Sequence, residues 1–178
     1  MTHETFGFIG LGLIGGSLAK ALKRSNPSCR IMAYSRTSAT TDLALSEHVI
    51  DICCTSVSDP QFAACDCIFL CAPVDTNISA LRILKDIVPP DCILTDVGSV
   101  KTDIHRAAQE MGLNGRFIGG HPMTGSEKSG FAHAQAHLFE NSYYIITPSA
   151  GTVPEKIDWY TGGIQQLWPK GANFKVYD

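Results

Sequence analysis

The sequence predicts an α/β fold, a mainly parallel, doubly wound sheet with helices on both faces, and three observations lead to it. Apolar runs of strand length alternate with amphipathic runs of helix length. A glycine-rich G-x-G-x-x-G stands at the first junction between the two. The composition is that of an ordinary soluble globular chain, 44% hydrophobic and 17% charged over 178 residues. Repeated strand–helix alternation requires crossovers, and crossovers make neighbouring strands parallel and cover both faces of the sheet. The length suits one well-buried domain, taken here as 1–178.

The first strand is TFGFI, followed by the helix LIGGSLAKALKR. In that helix Ile14, Leu18, Ala21 and Leu22 recur on one stripe, which suits packing on a sheet. RIMAYS is the next strand, and a polar, helix-like run to Glu47 follows. The alternation continues with the strand CIFLCAP, the helix DTNISALRILKDI, the strand CILTDV, the helix KTDIHRAAQEM and the strands RFIGG and SYYIITP. Towards the end Ile157, Tyr160, Ile164, Leu167 and Trp168 keep helical spacing, which Gly162 and Gly163 are expected to interrupt. NFKVYD reads as a strand arriving at a sheet edge. There is no internal repeat, low-complexity tract or linker.

Several function classes are excluded early. No stretch approaches the ~18 consecutive apolar residues of a membrane span. The start MTHETFGFIG lacks the basic opening and small-residue cleavage site of a secretory signal, so the cytoplasm is expected. The seven cysteines include no C-x-x-C pair and sit in or beside apolar runs, so they are expected to be buried hydrophobes and not metal ligands. A net charge of -3 gives no general basic field for nucleic acid. An anionic ligand must therefore find positive potential locally, at cations or helix N-termini.

Gly10-Leu11-Gly12-Leu13-Ile14-Gly15 supplies such a place. Gly10 allows a tight turn, Gly12 lets a pyrophosphate approach the backbone, and Gly15 lets the helix lie close to the strand. Between a strand and a helix this is the dinucleotide fingerprint of the Rossmann fold. The second strand ends at Ala33-Tyr34-Ser35-Arg36, without the carboxylate that usually meets the ribose of NAD. Ser35 and Arg36 can instead hold a 2'-phosphate, which favours NADP over NAD, although Arg36 can also be read as a solvated loop residue. Ala72 and Pro73 follow CIFLC, where small residues leave room for a cofactor; Pro73 alternatively does no more than end the strand.

Two further segments, Thr95-Asp96-Val97-Gly98-Ser99-Val100-Lys101 and GGHPMTGSEKSG from Gly119 to Gly130, also follow strands. A Rossmann sheet brings such ends to one crevice. A hydroxyl, a histidine, a glutamate and two lysines could then converge beside a nicotinamide, a dehydrogenase-like site, although a lone histidine such as His121 is more often structural.

GFIGLGLIGGSLA, TDVGSVK and GGHPMTGSEKSG together closely resemble the prephenate and arogenate dehydrogenase family of tyrosine biosynthesis. The resemblance covers essentially the whole chain, including LFENSYYIITP. It implies the cofactor half of an enzyme that oxidatively decarboxylates prephenate to 4-hydroxyphenylpyruvate, or arogenate to tyrosine, with hydride transfer to NAD(P)+. By resemblance His121 is the base at the C4 hydroxyl, Ser99 positions the histidine and that hydroxyl, and Ser126 and Glu127 line the substrate side. Lys101 and Lys128 are left outside the site. Family members continue into a helical dimerisation domain, which is expected to begin where this chain stops, so a homodimer and turnover are expected of the longer parent. Two rival readings are a β-hydroxyacid dehydrogenase, against which the GGHP loop speaks, and a dinucleotide-binding module without catalysis.

Overall fold

The computed structural model describes residues 4–125, 127–167 and the backbone of 173–176. The elements, in chain order, are β1 (Thr5–Ile9), α1 (Leu13–Ser25), β2 (Arg30–Tyr34), α2 (Ser38–Ser46), β3 (Ile52–Cys53), β4 (Cys67–Leu70) and α3 (Val74–Leu84). They continue with β5 (Ile93–Asp96), α4 (Thr102–Glu110), β6 (Phe117–Pro122), β7 (Tyr143–Pro148), α5 (Pro154–Gln166) and β8 (Asn173–Val176). Short 3-10 turns lie at Pro60–Ala64 and Phe131–His133.

All eight strands form one sheet in the order β3-β2-β1-β4-β5-β6-β7-β8. Strands β1 to β6 are mutually parallel, β7 runs antiparallel to β6, and β8 is parallel to β7. The order 3-2-1-4-5-6 is that of the doubly wound dinucleotide-binding fold, with the reversal of winding between β1 and β4. The closing strand does lie at the sheet edge, as its sequence predicts.

Period-two alternation divides the core. One face gathers Phe6, Phe8, Ile31, Cys67 and Phe69 beneath Leu18 and Leu22 of α1 and Tyr160 and Ile164 of α5. The other sets Ile9, Met32, Ile68, Leu70 and Leu94 against Leu81 and Leu84 of α3 and Ile104 of α4. Of the α1 stripe Leu18, Ala21 and Leu22 are buried and Ile14 is half-buried against the same layer, and Phe8 stacks on Phe69 with ring centroids 5.0 Å apart. Each fully buried Leu or Phe contributes roughly 1.5–3 kcal/mol of transfer free energy, so these two layers set the fold.

One expectation is overturned. Gly162 and Gly163 do not interrupt the last helix, because α5 runs unbroken from Pro154 to Gln166. Two helical glycines cost about 1 kcal/mol each. Tyr160, Ile164 and Leu167, each 2% exposed, offset that cost by packing. Trp168 and Ser126 lie outside the described residues. The seven cysteines are free thiols, most of them buried, and burial pushes the Cys54 thiol up to about 12. Among the described residues no group of three His, Cys, Asp or Glu could hold a metal ion, and no helix is long and apolar enough to cross a membrane.

Candidate active site

Because β1, β2, β4, β5 and β6 are parallel, the loops that follow them open on one edge of the sheet. Gly10 leaves β1 with φ +95°, a conformation that side chains rarely adopt, and its N–H donates to the Tyr34 carbonyl at 2.8 Å. Gly12 is the N-cap of α1; no side chain caps the helix, and a Cβ at Gly12 would meet nothing within 4 Å. The positive end of α1 thus faces an open approach, the arrangement in which helix N-termini bind phosphate. At Gly15 a Cβ would collide with the Gly10 carbonyl oxygen and lie 2.9 Å from the Cys71 Cβ, so the helix can sit against the turn only as glycine. Leu11 is buried, while Leu13 and Ile14 are half-buried.

Across the switch point, the turn at Ala72 and Pro73 is held by Asn77 of α3, which is 2% exposed. Its Oδ1 accepts from the Ala72 N–H at 3.1 Å, and its Nδ2 donates to the carbonyls of Leu70 at 3.1 Å and Ala72 at 2.8 Å. Pro73 is the exposed N-cap of α3. Ser35 is half-buried beyond β2. Arg36 is exposed and has no hydrogen bond or ion pair among the described residues.

The second half of the crevice is organised by Asp96, the last residue of β5, also 2% exposed. Its carboxylate accepts from the Gly98 N–H at 3.0 Å, from the Gly120 N–H at 3.4 Å and from the Lys101 ammonium. Burial lowers the Lys101 pKa, and the Asp96 charge opposes that shift. His105 of α4 lies behind, its Nε2 3.2 Å from Thr147 Oγ1 and its Nδ1 3.3 Å from Ser149 Oγ. Burial lowers its pKa, Asp96 resists and Lys101 adds to the lowering. On the opposite side, Thr95, Tyr160 and Tyr144 form a buried hydroxyl chain with links of 2.8 and 2.9 Å. The Tyr144 hydroxyl fills the space that a Cβ on Gly120 would need.

His121 follows on β6, paired with Ile145 of β7 and half-buried. Its Nδ1 is buried and has no hydrogen-bond partner among the described residues, an unusual condition for an interior polar atom. Ser99 is exposed on the loop after β5 and makes no hydrogen bond among the described residues, so no bond joins it to His121. Glu127 is exposed on the loop beyond β6. That loop's continuation returns over α1, where the Phe131 ring would lie 2.6 Å from a Cβ on Gly16 and the Gln135 N–H donates to Ser17 Oγ at 2.9 Å.

The arrangement offers an anion cradle at a helix N-terminus and, on the same sheet edge, an imidazole with an uncommitted nitrogen. Asn77 and the Asp96–Lys101 pair are the polar groups that sequence reasoning did not assign. The signal for Asp96 was present: a carboxylate closing the apolar run CILTD has to find partners.

A sequence model of the family described as "Prephenate dehydrogenase, nucleotide-binding domain" matches residues 18–168. The prephenate dehydrogenase of Lactococcus lactis subsp. cremoris is 37% identical over 150 residues, 83% of this chain and 42% of that protein. The crystal structure of prephenate dehydrogenase from Aquifex aeolicus, in complex with hydroxyphenyl propionate and NAD+, superposes with a TM-score of 0.90 at 28% identity. It covers 100% of this chain and 61% of that one. Arogenate dehydrogenase from Synechocystis superposes with a TM-score of 0.87 at 32% identity, covering 97% of this chain and 59% of that one. The chain therefore spans less than two thirds of the length of each of these relatives.

Proposed function

Because the chain belongs to the prephenate dehydrogenase family, as its nucleotide-binding domain, we propose that it carries the cofactor and the base of an NAD(P)-dependent prephenate dehydrogenase. The reaction is oxidative decarboxylation of prephenate to 4-hydroxyphenylpyruvate. The observation that carries this reading is His121, an imidazole whose buried Nδ1 has no partner among the described residues, on the sheet edge that also bears the glycine cradle.

The residues fit a dinucleotide. The open space over Gly12 is the space a pyrophosphate needs, and the uncapped first turn of α1 supplies its N–H groups. Gly10, Leu11, Gly12, Leu13, Ile14 and Gly15 form that cradle, Ala72 and Pro73 wall it, and Ser35 and Arg36 take a 2'-phosphate, which gives NADP preference over NAD. When bound, the nicotinamide supplies a hydride acceptor. His121 takes the proton of the substrate's C4 hydroxyl as general base, with Ser99 orienting that hydroxyl. The electron pair left by departing carbon dioxide enters the ring, and the resulting phenol oxygen recovers a proton from the imidazolium. By the family resemblance Ser126 and Glu127 are assigned to the substrate side. In the longer protein a second, helical domain completes the pocket and forms a homodimer.

Arogenate is the second reading, favoured by the 32% identity to the Synechocystis enzyme. It differs from prephenate in the side chain, away from the hydroxyl that His121 serves. The test is turnover by the full-length gene product with prephenate or arogenate and with NADP or NAD, followed at the reduced-nicotinamide absorbance. Prephenate with NADP is expected to be fastest, and no reduced cofactor in any combination would end the reading.

A further inference from the structure

We propose that Asp96 is a positioning residue that sets His121 by splicing the ends of β5 and β6, an inference that rests on His121 being the base. The paired residues of the two strands end at Thr95 and Ile118. Beyond that point one strand leads to Ser99 and the other to His121. The Asp96 carboxylate bridges this fork. Oδ1 accepts from the Gly120 N–H, immediately before His121, and Oδ2 accepts from the Gly98 N–H, immediately before Ser99.

Each oxygen is thus committed to the residue preceding a different candidate catalytic group. A carboxylate that is 2% exposed needs a partner to offset its lost hydration, and the Lys101 ammonium on Oδ2 is that partner. Gly120 is confined from the far side as well, by the hydroxyl of Tyr144, which is itself bonded to Tyr160. Because Nδ1 of His121 has no partner among the described residues, none of their side chains holds the ring through that atom. The place of the imidazole therefore rests on the β6 backbone, which β7 pairs on one side at Ile145 and Asp96 bonds on the other at Gly120.

Three variants of the full-length gene product, assayed with prephenate, test this: Asp96→Asn, His121→Asn and the double variant. The single change at Asp96 is expected to lower kcat about tenfold or more, the scale of a small misplacement of a reacting group. KM for prephenate and the dinucleotide Kd should stay within about twofold, since neither binding site is removed. The deciding comparison is the double variant, expected to be no slower than His121→Asn alone, because the loss passes through the imidazole. If Asp96→Asn does not accumulate folded, Lys101→Gln, at a partly exposed position, enters the same comparison. Additive losses, or an unchanged kcat, would overturn the splice. Near-normal turnover by His121→Asn alone would overturn the reading of the base and the splice with it.

Discussion

Arg36 is exposed and forms no ion pair among the described residues, so the proposed contact with a 2'-phosphate would displace no bond of the fold. A charge-assisted bond to a 2'-phosphate is worth roughly 1.5–3 kcal/mol. Arg36→Ala is accordingly expected to weaken NADP by that amount and to leave NAD nearly unchanged, as measured by calorimetric titration. Equal losses for both cofactors would place the side chain in solvent. His105 bears on stability instead. Its burial disfavours the charged ring, so its folded pKa lies below the ordinary 6.5. Between the folded and unfolded values the unfolded chain binds more protons, and stability rises with pH there. The contribution is present above about 6.5 and is lost as pH falls from that value through the folded pKa. Urea unfolding of the wild type and of His105→Gln across this range is the check: the variant should show the shallower pH dependence, and parallel curves would remove the argument.

At the scale of the element, the β1 turn and α1 separate binding from stability. A Cβ on Gly12 meets no protein atom, whereas one on Gly15 strikes the Gly10 carbonyl. Gly12→Ala is expected to cost at most about 1 kcal/mol of stability, the scale of an N-cap change. It should weaken NADPH binding at least about tenfold, or 1.4 kcal/mol, by filling the anion's space. Gly15→Ala should lose about 1–3 kcal/mol of stability through overpacking. Unfolding curves and fluorescence titration read the two effects, and a Gly12→Ala protein with normal affinity would refute the cradle. The contrast also marks what can be read from a sequence. The glycine loop, the α1 stripe and the longer strands announce themselves through local spacing. A two-residue strand such as β3 has no alternation to read. Gly162 and Gly163 suggested a break because propensity is local, while the packing of Tyr160 and Ile164 that overrides it is long-range. Asp96 escaped assignment for the same reason, since its Gly120 partner lies 24 residues away in sequence; Asn77 escaped it although its partners, Leu70 and Ala72, are only seven and five residues away.

For the molecule as a whole, the two layers of core close around a single sheet, while an anionic substrate at the strand ends needs cations to grip it. Lys101, which enters from the loop after β5, is engaged by Asp96. The 178-residue chain is therefore expected to bind NADPH yet give no measurable turnover of prephenate, a substrate with two carboxylates to be gripped. Hydride transfer needs the reacting atoms held within roughly 3–3.5 Å. Fluorescence titration and a nicotinamide absorbance assay on this chain decide it; steady-state turnover would mean that its own residues suffice.

The reversal of direction between β6 and β7 has one more consequence. The chain leaves the sheet just beyond His121 and re-enters beside the same point, where the Met123 N–H donates to the Tyr143 carbonyl at 2.8 Å. The excursion between them is an ear with both ends pinned, unlike the crossovers elsewhere, which must span the full height of the sheet. Doubling the length of such an ear costs only about 0.6 kcal/mol of closure entropy. Evolution can therefore lengthen, shorten or rewrite that excursion while the strand that carries the histidine stays where it is.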